Sequence, residues 1–141
     1  MSLPKISTTL TATSGSFSDG SGANNYDNNQ FCSWLIQPGS GTISLNFSSF
    51  STEVNNDRVL VFDGVDNTAT QIGNFSGSSI PPALTSSGSS MYVEFRTDGF
   101  NVDAGWDASY TTNVSSTTCS GTTNITNTAG TIDDGSGVNS N

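Results

Sequence analysis

Apolar side chains recur at every second position along this chain. In GTISLNFSSF (41–50), Ile43, Leu45 and Phe47 alternate with Thr42, Ser44 and Asn46. In MYVEFRTD (91–98), Met91, Val93 and Phe95 alternate with Tyr92, Glu94 and Arg96. In WDASYTT (106–112), Trp106, Ala108 and Tyr110 alternate with Asp107 and Ser109. A period of two sends successive side chains to opposite faces, so each stretch predicts a strand with one buried face. CSWLI (32–36) and RVLVF (58–62) are short continuous apolar runs, the pattern of central strands, and TQIGNF (70–75) is a weaker candidate. Turn residues separate them at Pro38-Gly39, Asp63-Gly64, Pro81-Pro82 and Asp98-Gly99. No window has the 3.6-residue period of an amphipathic helix. Many short strands with regular turn signals predict an all-β fold of two packed sheets, a sandwich or barrel. Trp34, Phe47, Phe95, Trp106 and Tyr110 are expected in its core.

The two ends of the chain repeat each other. LTATSGSFSDGSGANN (10–25) aligns with ITNTAGTIDDGSGVNS (125–140) at an offset of 115, with identical DGSG at 19–22 and 134–137 and apolar partners Leu10/Ile125 and Phe17/Ile132. The expected organisation is one domain over 5–112, a linker over 113–118, and the start of a second copy over 119–141, disordered or exchanged with a neighbour. Asp19 and Asp133-Asp134 read as turn formers. Met1-Ser2-Leu3 has the form of an expression start and is set aside.

Composition narrows the function. Apolar residues make up 32% of 141, and the charged side chains are 12 acidic and 3 basic, with no histidine and a net charge of −9. Nucleic acids and anionic membranes both attract a positive footprint, which this chain lacks. No apolar run reaches the length of a membrane span, so direct membrane insertion is not expected. A surface of Ser, Thr, Asn and Gly suits a secreted, extracellular or cell-surface protein. Asn46, Asn74, Asn113 and Asn124 each begin an Asn-x-Ser/Thr triplet, a pattern that a chain of this composition also produces by chance.

In their order and spacing, several pieces together resemble a CUB domain over about Gly15–Tyr110. They are Gly15-Ser16-Phe17, Tyr26, Cys32-Ser33-Trp34-Leu35-Ile36, Ile43-x-Leu45-x-Phe47 and Phe50-x-x-Glu53. Asp57-x-Val59-x-Val61-x-Asp63-Gly64, Gly73-Asn74-Phe75-Ser76-Gly77, Val93-x-Phe95-x-x-Asp98 and Gly105-Trp106-x-Ala108-x-Tyr110 follow. The resemblance implies a two-sheet antiparallel jelly-roll sandwich. It also implies two disulfides, and this chain departs from both. Ser76 stands at the position of one cysteine of the second pair, and the short loop before Asp57 lacks the other. The first pair would join Cys32 to a cysteine at the domain start, where the repeat offset maps Cys119 onto Pro4. No disulfide within one module is therefore expected, and a Cys32–Cys119 bridge stays open.

In the calcium-binding members of that family, Glu53, Asp57 and Asp98 match metal ligands. The Phe100 carbonyl and Asn101 would add oxygens, and Tyr26 would support the site from behind. Asp103 is a nearby spare carboxylate. Independently, gathered carboxylates repel by about 4 kcal/mol per pair at 4 Å and an effective dielectric of 20, so a proton or a cation must neutralise them. An oxygen-only set favours Ca2+ over Mg2+ or Zn2+. The residues by themselves favour a simpler reading, solvated loop acids with Arg58 and Arg96 as partners. The resemblance at four positions replaces it with calcium.

The expected function is a non-catalytic, calcium-stabilised recognition or adhesion module of a larger extracellular protein. Its partner is a protein, docking through a basic side chain, or a glycan, at the calcium-loop end. A carbohydrate-binding module with Tyr92 and Phe100 as stacking residues and a passive spacer in a repeat array are the alternatives. Glu53 with Asp98 could be imagined as a glycosidase pair. The chain offers no histidine, no nucleophile paired with a base and no cofactor motif, and the calcium reading explains the same acids.

Overall fold

A computed structural model describes residues 6–114. These residues form nine strands: β1 (Ile6–Leu10), β2 (Ser14–Ser18), β3 (Phe31–Ile36), β4 (Thr42–Ser51), β5 (Arg58–Asp63), β6 (Thr70–Phe75), β7 (Leu84–Thr85), β8 (Met91–Arg96) and β9 (Gly105–Asn113). The strands build two sheets, ordered β1-β3-β8-β5-β6 and β2-β9-β4-β7, packed as a jelly-roll sandwich. Every expected strand is present. TQIGNF is a full edge strand, β6, whose Ile72 is one residue extra against β5 between the Val61–Gly73 and Phe62–Gln71 pairs.

The alternation decides which face is buried. Ile43, Leu45 and Phe47 of β4 point inward, and a bulge between Phe47 and Ser49 resets the phase so that Phe50 is buried as well. One extra residue is what a bulge inserts, and here it keeps a 47/50 spacing on one face. Trp106 sits at the centre of the core. Its rings lie 5.1–5.8 Å from those of Trp34, Phe17, Phe47 and Phe95, and the Trp34, Phe17, Phe47 and Phe95 contacts are all close to edge-on. Such geometry sets the positive ring edge against a neighbour's negative face. Trp34, Phe47, Phe95 and Tyr110 are buried with it, as the alternation requires.

The sheets are antiparallel as expected, with one parallel pair: β1 runs alongside β3 with Ile6 opposite Cys32. Between these strands the chain crosses into the other sheet as β2 and returns, which brings β3 back in the direction of β1. One expectation about the strands needs correction. MYVEFR is not half-buried: Tyr92 and Glu94, on its outward face, are buried too. Asn67, in the loop between β5 and β6, donates to Glu94 Oε2 at 3.2 Å, and the Phe62 ring packs 6.1 Å from Tyr92. Arg96 donates to Glu94 Oε1 at 2.9 Å, so the buried carboxylate is paired. Burying a charge demands such partners.

The last strand reaches Asn113, one residue into the expected linker. The rest of that linker, Cys119 and the second copy lie outside the described residues. Cys32 is buried and has no disulfide partner among the described residues.

Candidate metal centre

Two loops meet at one end of the sandwich, and each acidic side chain is set by backbone hydrogen bonds around it. The first loop joins β4 to β5. The amides of Asn56 and Asp57 both donate to Glu53 O, at 3.4 and 3.1 Å, closing a single turn. Asn55 takes a positive φ of 69° in that turn, a conformation Asn tolerates better than most residues. Thr52 anchors the turn. Its hydroxyl donates to Asp57 O at 2.9 Å and accepts from Gly77 N at 3.1 Å, while its own amide donates to Gly77 O at 2.8 Å. Ser76 Oγ accepts from Asn55 N at 2.9 Å. Where the family resemblance places a cysteine, this chain ties the same segment to the acidic loop with hydrogen bonds.

The second loop follows β8. Asp98 N donates to Asp57 Oδ1 at 2.9 Å, Asp98 O accepts from Asn29 N at 2.7 Å, and Asp98 Oδ1 accepts from Phe100 N at 3.1 Å. Asn101, with φ 63°, reaches across and donates from Nδ2 to Glu53 Oε2 at 2.7 Å. Tyr26 closes the back of the site. Its hydroxyl donates to Asp57 Oδ2 at 2.6 Å and accepts from Glu53 N at 3.0 Å. The ring is held edge-on against Phe95 at 5.1 Å.

The outcome is that Glu53, Asp57 and Asp98 each bring a carboxylate oxygen within 4.8 Å of the others. Asp57 is fully buried, at 0% exposure, so it is not a solvated loop acid. Burial raises its pKa most. Hydrogen bonds from Tyr26 and from the Asp98 amide pull it down, and the charges of Asp98 and Glu53 push it up again. Burial, followed by the bond to Asp57, likewise raises the Tyr26 phenol. Neither arginine once expected as a partner serves here. Arg58 Nε donates to Asn55 O, and Arg96 pairs with Glu94 and lies 4.5 Å over the Phe31 ring.

Glu53 Oε1 tests whether a cation suits this group. That oxygen is buried and has no hydrogen-bond partner among the described residues. A buried carboxylate oxygen without a donor is costly, and a hard cation would supply the missing interaction. The Phe100 carbonyl and Asn101 belong to the same loop as Asp98. Asn101 turns its amide nitrogen toward Glu53, and a half-turn about its last torsion would present Oδ1 instead. Asp103 stays apart from the three acids: its carbonyl accepts from Tyr26 N and its Oδ1 from Ala104 N.

Thr52 and Ser76 carry no signature in the sequence, being two hydroxyl residues in a chain full of them. Asp19 was legible as a turn former, and Oδ1 does accept from Ser21 N at 2.7 Å. Its second role, accepting from Trp106 N with Oδ2, joins residues 87 positions apart and has no local signal.

A family model described as "CUB domain" matches residues 6–110. The chain is 34% identical over 108 residues to exoskeleton protein RP43 of Riftia pachyptila, covering 73% of this chain and 25% of that protein. It therefore spans about a quarter of that relative. Among solved structures, the full extracellular region of zebrafish Gpr126/Adgrg6 superposes with a TM-score of 0.67 at 29% identity, covering 76% of this chain and 14% of that one. The MASP-1 CUB2 domain, crystallised bound to Ca2+, superposes with a TM-score of 0.66 at 23% identity, covering 74% of this chain and 96% of that one. The last likeness establishes the fold.

Proposed function

The chain belongs to the CUB domain family, and we propose that it is a calcium-stabilised, non-catalytic recognition module of a larger extracellular protein. One observation carries the calcium reading: three carboxylates from two loops converge on one point while Glu53 Oε1 is buried without a donor among the described residues. Glu53, Asp57, Asp98, the Phe100 carbonyl and Asn101 Oδ1 would be the ligands, with Tyr26 holding Asp57 from behind. Six to eight oxygens at flexible spacing suit Ca2+ better than the strict octahedron of Mg2+, and the absence of imidazole and thiolate from this group among the described residues disfavours Zn2+. The bound ion would neutralise the acids and lock the two loops together, presenting a fixed surface to a partner. Support also comes from the Ca2+-bound neighbour of the same fold. The glycan alternative loses one of its two stacking residues, since Tyr92 is only 5% exposed.

The test is a thermal unfolding midpoint in calcium and in chelator, for the native chain and for Asp98→Ala. A site that binds only the folded state stabilises by about 2.7 kcal/mol at a hundredfold excess over Kd. An upward shift that Asp98→Ala abolishes is expected. No shift in the native chain, or the same shift in the variant, sinks the calcium reading.

A further inference from the structure

Asparagine is depleted in strands, because its short polar side chain competes for the backbone. Asn46 of β4, Asn74 of β6 and Asn113 of β9 sit in strands nonetheless. Each of them begins an Asn-x-Ser/Thr triplet: Asn46-Phe47-Ser48, Asn74-Phe75-Ser76 and Asn113-Val114-Ser115. None of the described loop asparagines, from Asn24 to Asn101, does so. Chance composition would scatter such triplets over loops and strands alike.

Register decides where these side chains go. Asn46 lies opposite Ser109 on the outer face of its sheet, while Leu45 and Phe47 point inward. Asn74 lies opposite Leu60 on the outer face of the other sheet, while Val59 and Val61 point inward. Both asparagines are exposed, and their side-chain amides have no hydrogen-bond partner among the described residues. Asn113 differs, since its Nδ2 donates to Ser44 Oγ at 2.7 Å and to Thr42 Oγ1 at 3.5 Å.

We propose that Asn46 and Asn74 are N-glycosylated, one glycan standing on each outer face of the sandwich. This goes beyond the recognition-module reading: it shares the extracellular setting and depends on neither calcium nor a partner. In the transfer, Nδ2 bonds to C1 of the first N-acetylhexosamine of an oligosaccharide carried on a lipid diphosphate. The C1–O bond to the diphosphate breaks, the amide gives up one proton, and the lipid diphosphate leaves. The hydroxyl two residues on belongs to the acceptor pattern. In the folded chain Ser76 Oγ accepts from Asn55 N, so transfer to Asn74 precedes the closing of that loop.

Position gives the Asn74 glycan a role. β6 is the outer strand of its sheet, paired with β5. Apart from the bulge at Ile72, Thr70–Phe75 has no proline and no charged side chain, the usual guards of an open edge. A bulky, solubilising glycan on this strand keeps a second chain from pairing with it.

The experiment sends the full chain through the secretory route of insect cells with an added leader. Peptides are then mapped by mass spectrometry after enzymatic deglycosylation, which converts each glycan-bearing asparagine to aspartate. Conversion at Asn46 and Asn74 in most molecules is expected. Ser48→Ala and Ser76→Ala should each lose the mass of one glycan while keeping the asparagine. An unconverted Asn46 or Asn74, or glycans confined to Asn113 and Asn124, overturns the proposal. For the edge, Asn74→Gln should show a larger fraction of dimers and higher species in light scattering than Asn46→Gln, and equal fractions refute the guarding role. The calcium-induced thermal shift of the same secreted chain reads the metal site separately.

Discussion

Tyr26 Oη lies 2.6 Å from Asp57 Oδ2 and 3.0 Å from the amide nitrogen of Glu53. One buried phenol thus donates to one acid of the cluster and accepts from the backbone of another, which fixes their separation. Tyr26→Phe keeps the ring against Phe95 and removes both bonds. The Asp57 carboxylate and the Glu53 amide then lose a partner, a cost of about 1–3 kcal/mol. Chemical denaturation should report that loss, and calcium titration should report weaker binding. An unchanged calcium affinity would mean that the phenol supports only the fold.

Thr52→Val is nearly isosteric and removes the hydroxyl that bridges Asp57 O and Gly77 N. Thr52 is 2% exposed, so water cannot replace it. A destabilisation of about 1–3 kcal/mol is expected. Ser76→Ala, at the more exposed Asn55 contact, should cost less, about 0.5–1.5 kcal/mol. If the order is reversed, the anchoring role belongs to Ser76.

Gly105 opens β9 with φ 91°, and the Asp19 carboxylate occupies the space where a side chain would begin. Gly105→Ala should cost about 2–5 kcal/mol, combining left-handed strain with a displaced Asp19. Asp19→Ala clears that space, so the double variant should fall short of the sum of the two single losses. Strict additivity in urea unfolding would refute the clash.

Burial raises the thiol of Cys32 and the phenols of Tyr26 and Tyr110 above their ordinary values. Each is held neutral in the folded state and ionises more readily when unfolded. A raised folded pKa contributes stability that is full below the unfolded pKa and lost as pH rises toward the folded one. Stability should therefore fall from about pH 8.5, where an unfolded thiol ionises, and more steeply from about pH 10, where unfolded tyrosines do. Each differential proton steepens the slope by about 1.4 kcal/mol per pH unit. Urea midpoints across this range check the sign, and Cys32→Ala should remove the earlier part of the fall. A midpoint that rises above pH 9 would contradict it.

The sequence by itself determined six of the nine strands, their inward faces and the acids to be compared as a candidate site. Alternation is a local property, so Ile43, Leu45, Phe47, Val93 and Phe95 announced their faces without any partner being known. The order and spacing of motifs from Gly15 to Tyr110 were enough to indicate the family, and with it which acids to compare. Tertiary structure decided what depends on residues far apart in the chain. It paired β1 with β3 in parallel, because that follows from the path between them. It buried Glu94 against Asn67 of a polar loop and Tyr92 against the Phe62 ring. It took Asp57 wholly out of water and supplied Tyr26, Thr52 and Asp98 N–H to hold it. A carboxylate's burial and its hydrogen bonds come from neighbours 31 or 41 positions away, so no local pattern encodes them. The three-residue gap between Glu53 and Asp57 was visible from the start. That it closes as one turn, bound by hydrogen bonds to Thr52, Ser76 and Gly77, came only from packing β4, β5 and the segment after β6 at the same end of the sandwich.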